Sequence, residues 1–139
     1  MRFMMVVKAT RESEAGALPG EKILGAMAKF NETLQQAGVL LDLSGLKPSS
    51  QGARVTFTSG KRAVTDGPFA ETKELIAGYW LIQARSLAEA VEWAKRAPMD
   101  ADGQDAEIEI RPLFELEDFA PGDAVEHHRR IGQELAKHK

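Results

Sequence analysis

Cysteine is absent from the 139 residues, which excludes a disulfide framework, a thiol nucleophile and any thiolate metal site. Long apolar runs are missing as well. None approaches the roughly 18–20 residues that cross a bilayer, so no membrane partner is expected. There is no surplus of positive charge: Lys+Arg number 18 against 21 Asp+Glu, for a net charge of −3. Without a basic field, direct nucleic-acid binding is not expected. No dinucleotide fingerprint, Walker sequence or serine-nucleophile elbow occurs, and neither a cofactor nor a metal is expected. The opening MRFMMVVKAT lacks the apolar length and small-residue cleavage site of an export signal, which predicts a cytoplasmic protein. What remains, 43% hydrophobic and 28% charged residues, is the composition of an ordinary soluble domain.

Hydrophobic spacing then orders the chain. Residues 2–9 alternate, with Phe3, Met5 and Val7 on one face and Arg2, Met4, Val6 and Lys8 on the other, which predicts a strand apolar on both sides. After the polar connection TRESEAGALPG, the residues Ile23, Met27, Phe30, Leu34 and Ala37 form one helical stripe over Glu21–Ala37,. Val39–Leu43 reads as a short strand, and residues 53–58 and 61–65 as a hairpin around Ser59-Gly60,. Ala77–Ala84 reads as a central strand with Tyr79 and Leu81 facing one way and Trp80 and Ile82 the other. A second helix is announced by a Ser86/Glu89 capping box, with Leu87, Ala90, Val91 and Ala94 as its buried stripe and Pro98 as its stop,. A last strand is expected at about Glu107–Glu115, with Ile108, Ile110 and Phe114 on one side. Residues 120–139 form a charged tail with helical spacing of Ala124, His128, Ile131 and Leu135.

The order strand, helix, strands, strand, helix, strand predicts an α+β fold of the ferredoxin-like type: a split β-α-β repeated, with an antiparallel sheet and both helices on one face. The other face, with Met4, Val6 and one of Tyr79 or Trp80, then needs a cover. A second copy packed sheet to sheet supplies one, so a homodimer is expected.

The segment that departs most from plain packing is Thr65-Asp66-Gly67-Pro68-Phe69-Ala70-Glu71-Thr72-Lys73-Glu74. Asp-Gly-Pro is turn chemistry, and Phe69 is an aromatic anchor for it. A carboxylate held on a rigid loop makes Asp66 a candidate catalytic group, although Asp66 also fits a purely architectural turn. Its candidate neighbours at a ligand site are Gly67, Pro68, Phe69, Lys8, Glu74, Tyr79, Trp80 and Arg111. Glu107, Glu109 and Arg111 share a strand face that Arg2 and Lys8 could oppose, either to orient a polar ligand or to fix strand register by ion pairing,.

The stretch TDGPFAETKELIAGYWLIQARSLAEAVEWAKRAP, with EIEIRPLFELEDF, VTFTSGKRAVTDGPF, AGVLLDLSGLKPSS and MRFMMVVKA, resembles the DGPF branch of the YCII-related family over about residues 1–119. The resemblance implies a dimeric α+β barrel on a ferredoxin-like fold, with the tail outside it. It also implies kinship with muconolactone-isomerase-like enzymes, and in some members an association with RNA polymerase sigma factors. A His–Asp pair has been proposed as catalytic in the YCII branch. The aspartate carries over to Asp66, but His127, His128 and His138 all lie in the tail, so the histidine does not. Two functions stay open: a protein binding a small polar molecule near the DGPF loop, with or without acid/base catalysis, or a non-catalytic dimeric module serving sigma-factor-linked transcription.

Overall fold

The computed structural model describes residues 1–138, apart from the side chain of Thr72. Among the described residues six strands and four α-helices follow one another: β1 (Arg2–Lys8), α1 (Arg11–Glu14), α2 (Glu21–Gln36), β2 (Leu40–Gly45), β3 (Ala53–Thr58), β4 (Lys61–Asp66), β5 (Ile76–Gln83), α3 (Leu87–Lys95), β6 (Ile108–Pro112) and α4 (Asp123–Lys137). Four strands form an antiparallel sheet in the order β2-β5-β1-β6, and β3-β4 is a separate two-stranded sheet. With the hairpin set aside, this is the order of a doubled split β-α-β, and the α+β fold is as the hydrophobic spacing requires.

The central strands alternate in burial because a pleated strand turns successive side chains to opposite faces. Phe3 and Met5 of β1 pair across the sheet with Ile82 and Trp80 of β5. All four are buried against Phe30 and Leu34 of α2 and Ala90 of α3. Full burial of Phe3, Met5, Leu34 and Ile82 contributes about 1.5–3 kcal/mol each. Phe30 meets the Trp80 ring edge-on, with 5.4 Å between centroids, and this contact decides which aromatic of β5 faces the helices. Tyr79 and Leu81 therefore lie on the far face beside Val6 and Met4, half-buried.

Local chemistry sets several ends. The connection after β1 contains a four-residue helix, α1, because Thr10 and Ser13 cap each other reciprocally,. The hairpin turns through Ser59 and Gly60, both at positive φ (51° and 76°). That is the paired left-handed geometry whose twist matches the flanking strands.

Three expectations are corrected. Ser86 accepts from the Glu89 N–H, but Glu89 returns its carboxylate to the backbone N–H and the guanidinium of Arg85, not to Ser86. Leu87 is 50% exposed and stays outside the core, because the helix meets the sheet through Ala90. Strand β6 ends at Pro112, and the Leu113 N–H makes one more bond to β1, to the Arg2 carbonyl at 3.0 Å. Phe114, beyond it, is 76% exposed and pairs with Phe119 at 5.3 Å instead of pointing inward.

Candidate functional site

The sheet has charged as well as apolar features on its far face. Lys8 Nζ lies 3.3 Å from Glu109 Oε1. Arg2 forms a two-pronged pair with Glu115 at 3.0 and 3.1 Å. That fork raises the Arg2 pKa and lowers that of Glu115, with hydrogen bonding as the main cause,. Arg111 stands opposite Met4 in the register and is exposed. The ion pairs lock β1 to the β6 end of the sheet, which is the register-fixing role.

The DGPF segment is built differently. Asp66 ends β4 opposite Ala53 and is exposed. By strand alternation it shares a hairpin face with Val55, Phe57 and Val64, all exposed as well. Gly67 follows, its N–H donating to the Gly52 carbonyl at 3.0 Å. An added Cβ on Gly67 would lie 1.8 Å from the Ser49 carbonyl oxygen, so only glycine fits this approach. Pro68 comes next, and the Phe69 N–H donates to Ser49 Oγ at 3.0 Å. The Arg54 guanidinium sits over the Phe69 ring, 3.9 Å from its centroid, and reaches Glu71 at 3.6 Å. Glu74 is exposed on a 3-10 turn.

Ser49 also ties this loop to α1. Its hydroxyl donates to one oxygen of Glu14, and its backbone N–H donates to the other at 3.0 Å. These two bonds, side chain first, hold the Glu14 carboxylate below its ordinary value of 4.5,. A group with a depressed folded pKa contributes stability above its unfolded pKa, and that contribution fades as pH falls through the folded value. Amide-exchange protection at Ser49 and Phe69 should accordingly be present at neutral pH and fade below pH 4.5. In Glu14→Gln the protection should be lower and flat with pH. Protection that persists unchanged in strong acid would show that Glu14 does not hold the loop.

Between these anchors lies a groove of about 610 Å³. Its walls are α2 (Ile23, Leu24, Met27 and Asn31), the turn at residues 16–19, and the adjoining ends of β2 and β5. Trp80 forms part of its floor, and its indole N–H donates to Asn31 Oδ1 at 2.7 Å. Pro48 and Gln51, on either side of the Ser49 anchor, form the rim, and Ser13 next to Glu14 faces them. A smaller recess of about 280 Å³ shares Val7, Leu18 and Ile23 with the groove and extends it toward Lys8. Another hollow of about 520 Å³ lies between α3 and β6 and shares Met99, Asp105 and Ala106 with that recess.

Of the residues singled out from sequence, Tyr79 and Trp80 line the groove and Lys8 lines its recess. The Tyr79 hydroxyl itself turns to Asp42 Oδ2 at 2.9 Å. Phe69 reaches the rim through Ser49. Asp66, Gly67, Pro68, Glu74 and Arg111 are not among the lining residues, so the protomer does not bring the carboxylate of Asp66 into the groove with Lys8. His127 and His128 lie on α4 and His138 at its end, away from the sheet. Sequence reasoning missed Glu14, Ser49 and Asn31.

Comparison with solved structures gives a loose likeness to 5-chloro-2-hydroxyhydroquinone dehydrochlorinase (TftG) from Burkholderia phenoliruptrix AC1100, in complex with 2,5-dihydroxybenzoquinone. It is 14% identical, with a TM-score of 0.47, over 82% of this chain and 94% of that one. No chemistry is transferred at that distance. An uncharacterised protein of Rhizobium meliloti (strain 1021) is 34% identical over 93 residues, which are 67% of this chain and 74% of that protein. The model of the YCII-related domain matches residues 1–115, from β1 through the last strand, and the chain belongs to the YCII-related domain family.

Proposed function

We propose that this protein binds a small molecule in the groove between α2 and the β2–β5 edge, and that it works as a homodimer. The observation that carries the reading is the groove itself. It is roomy enough for a small organic molecule and apolar along most of its walls, and the Glu14–Ser49 bonds hold residues next to its Ser13 and Pro48 lining,. The lining favours a ligand with more apolar surface than the polar molecule expected from sequence. Dimerisation is supported by Met4, Val6, Tyr79 and Leu81, which lie together on the sheet face away from the core helices,. Acid/base work by Asp66 would belong to the dimer. A carboxylate donates protons near neutrality only when burial raises its pKa, and Asp66 is exposed in the protomer.

A fragment screen by NMR tests the site. Binders should perturb Leu24, Met27, Leu46 and Trp80 together, and Met27→Trp, which adds bulk to the α2 wall of the groove, should weaken binding while leaving the fold intact. Fragments that bind only in the hollow between α3 and β6, or that bind Met27→Trp as well as the parent, would overturn the reading.

A further inference from the structure

We infer that Asn31 is the specificity-determining residue of the groove, selecting ligands that present a neutral hydrogen-bond acceptor such as a carbonyl or ether oxygen. The inference rests on the groove being a ligand site. An indole N–H can only donate, so the Asn31 atom 2.7 Å from Trp80 Nε1 is the carbonyl oxygen, and the orientation of the amide is fixed by its partner rather than free to flip. Its Nδ2 group, with two N–H donors, has no hydrogen-bond partner among the described residues.

The other polar groups of the lining are otherwise engaged or turned away. The Ser13 hydroxyl donates to the Thr10 carbonyl and accepts from the Thr10 N–H. Ser44 pairs with Tyr79 and shares its side of the sheet, opposite the helices. Lys47 and Gln51 are exposed at the mouth. The apolar part of the wall includes Val7, Leu24, Met27, Leu46 and Ala77. A neutral donor set in apolar surroundings rewards an acceptor and leaves a hydroxyl-free, oxygen-free analogue without the bond. The amide carries no charge of its own, so what it adds to binding is the single bond that a neutral acceptor can accept.

Two probes of equal size isolate the effect: 2-acetylnaphthalene, which carries an acceptor, and 2-isopropylnaphthalene, which does not. Binding to the intact protein is followed by fluorescence titration. The parent should prefer the acetyl probe by about five-fold, the value of one neutral hydrogen bond. Asn31→Asp keeps an oxygen for Trp80 and removes both N–H donors, so the preference should fall below about two-fold or invert. The double variant Asn31→Leu with Trp80→Phe removes the amide and the indole N–H together, leaves no orphan donor, and should lose the preference while retaining affinity for the isopropyl probe. Equal affinities in the parent, or a preference that survives in either variant, overturns the role of Asn31. Failure of the parent to bind either probe overturns the ligand site beneath it.

Discussion

Replacing Gly67 with alanine is expected to destabilise the protein by about 3 kcal/mol, which in a domain of this size lowers Tm by roughly 10 °C. The new carbon would stand 1.8 Å from the Ser49 carbonyl oxygen and 2.6 Å from the carbon that bears it. Both are backbone atoms, so no rotamer change relieves the overlap, and the loop must part from the turn at Pro48–Gln51. Parting breaks the Gly67–Gly52 bond and the Phe69–Ser49 bond, each 3.0 Å long, and withdraws support from the Ser49–Glu14 contact. Such bonds contribute about 1 kcal/mol apiece. Gly52→Ala is the control: its added carbon would lie 3.6 Å from the same oxygen, an ordinary contact, and should change stability by less than about 1 kcal/mol. Thermal unfolding of the two variants beside the parent decides the matter. A Gly67→Ala protein that melts with the parent would mean that the loop is free to move away without loss.

A charge placed at the middle of the far sheet face should separate the proposed dimer. Leu81 stands directly across from Met4, and Leu81→Lys would bury an ammonium among apolar groups of both copies. An uncompensated buried charge costs about 3–5 kcal/mol, which corresponds to at least a hundred-fold weaker association. Light scattering should report two chains for the parent and one for the variant, with circular dichroism unchanged. A parent that stays a single chain at high concentration would remove the dimer and, with it, any dimer-dependent part for Asp66.

The elements that could be read from the chain are those whose signal is local. The stripe through Phe30 and Leu34, the alternation of β1 and β5, and the turn at Ser59-Gly60 need only neighbours a few residues away, and they are where spacing places them. The failures have a common physical source. Leu87 falls on the helical stripe by count, yet the short α3 meets the sheet through Ala90, and which positions of a stripe touch depends on the tilt of the helix. Tyr79 and Trp80 have equal claims to the interior from alternation alone; the Phe30 ring on another element decides between them. The site was less legible. Glu14 and Ser49 lie 35 residues apart in sequence, and no periodicity links a carboxylate in a polar connection to a serine in a turn. Asn31 sits in a run that resembles a glycosylation sequon on a strong helix, and its role appears only when the Trp80 indole is placed against it. Asp66 was legible as a residue before a break in the chain, since Asp-Gly-Pro interrupts a strand; where the segment points is a matter of tertiary placement.

The β3-β4 hairpin stands as its own small sheet and is fastened at its Gly52–Gly67 base. Six paired residues make an arm about 20 Å long, so a tilt of roughly 10° at the footing sweeps the tip through about 3–4 Å. The placement of Phe57 and Arg62 at the far end would therefore follow from the contacts at the base, where Gly67 meets one carbonyl and Arg54 meets Phe69 and Glu71.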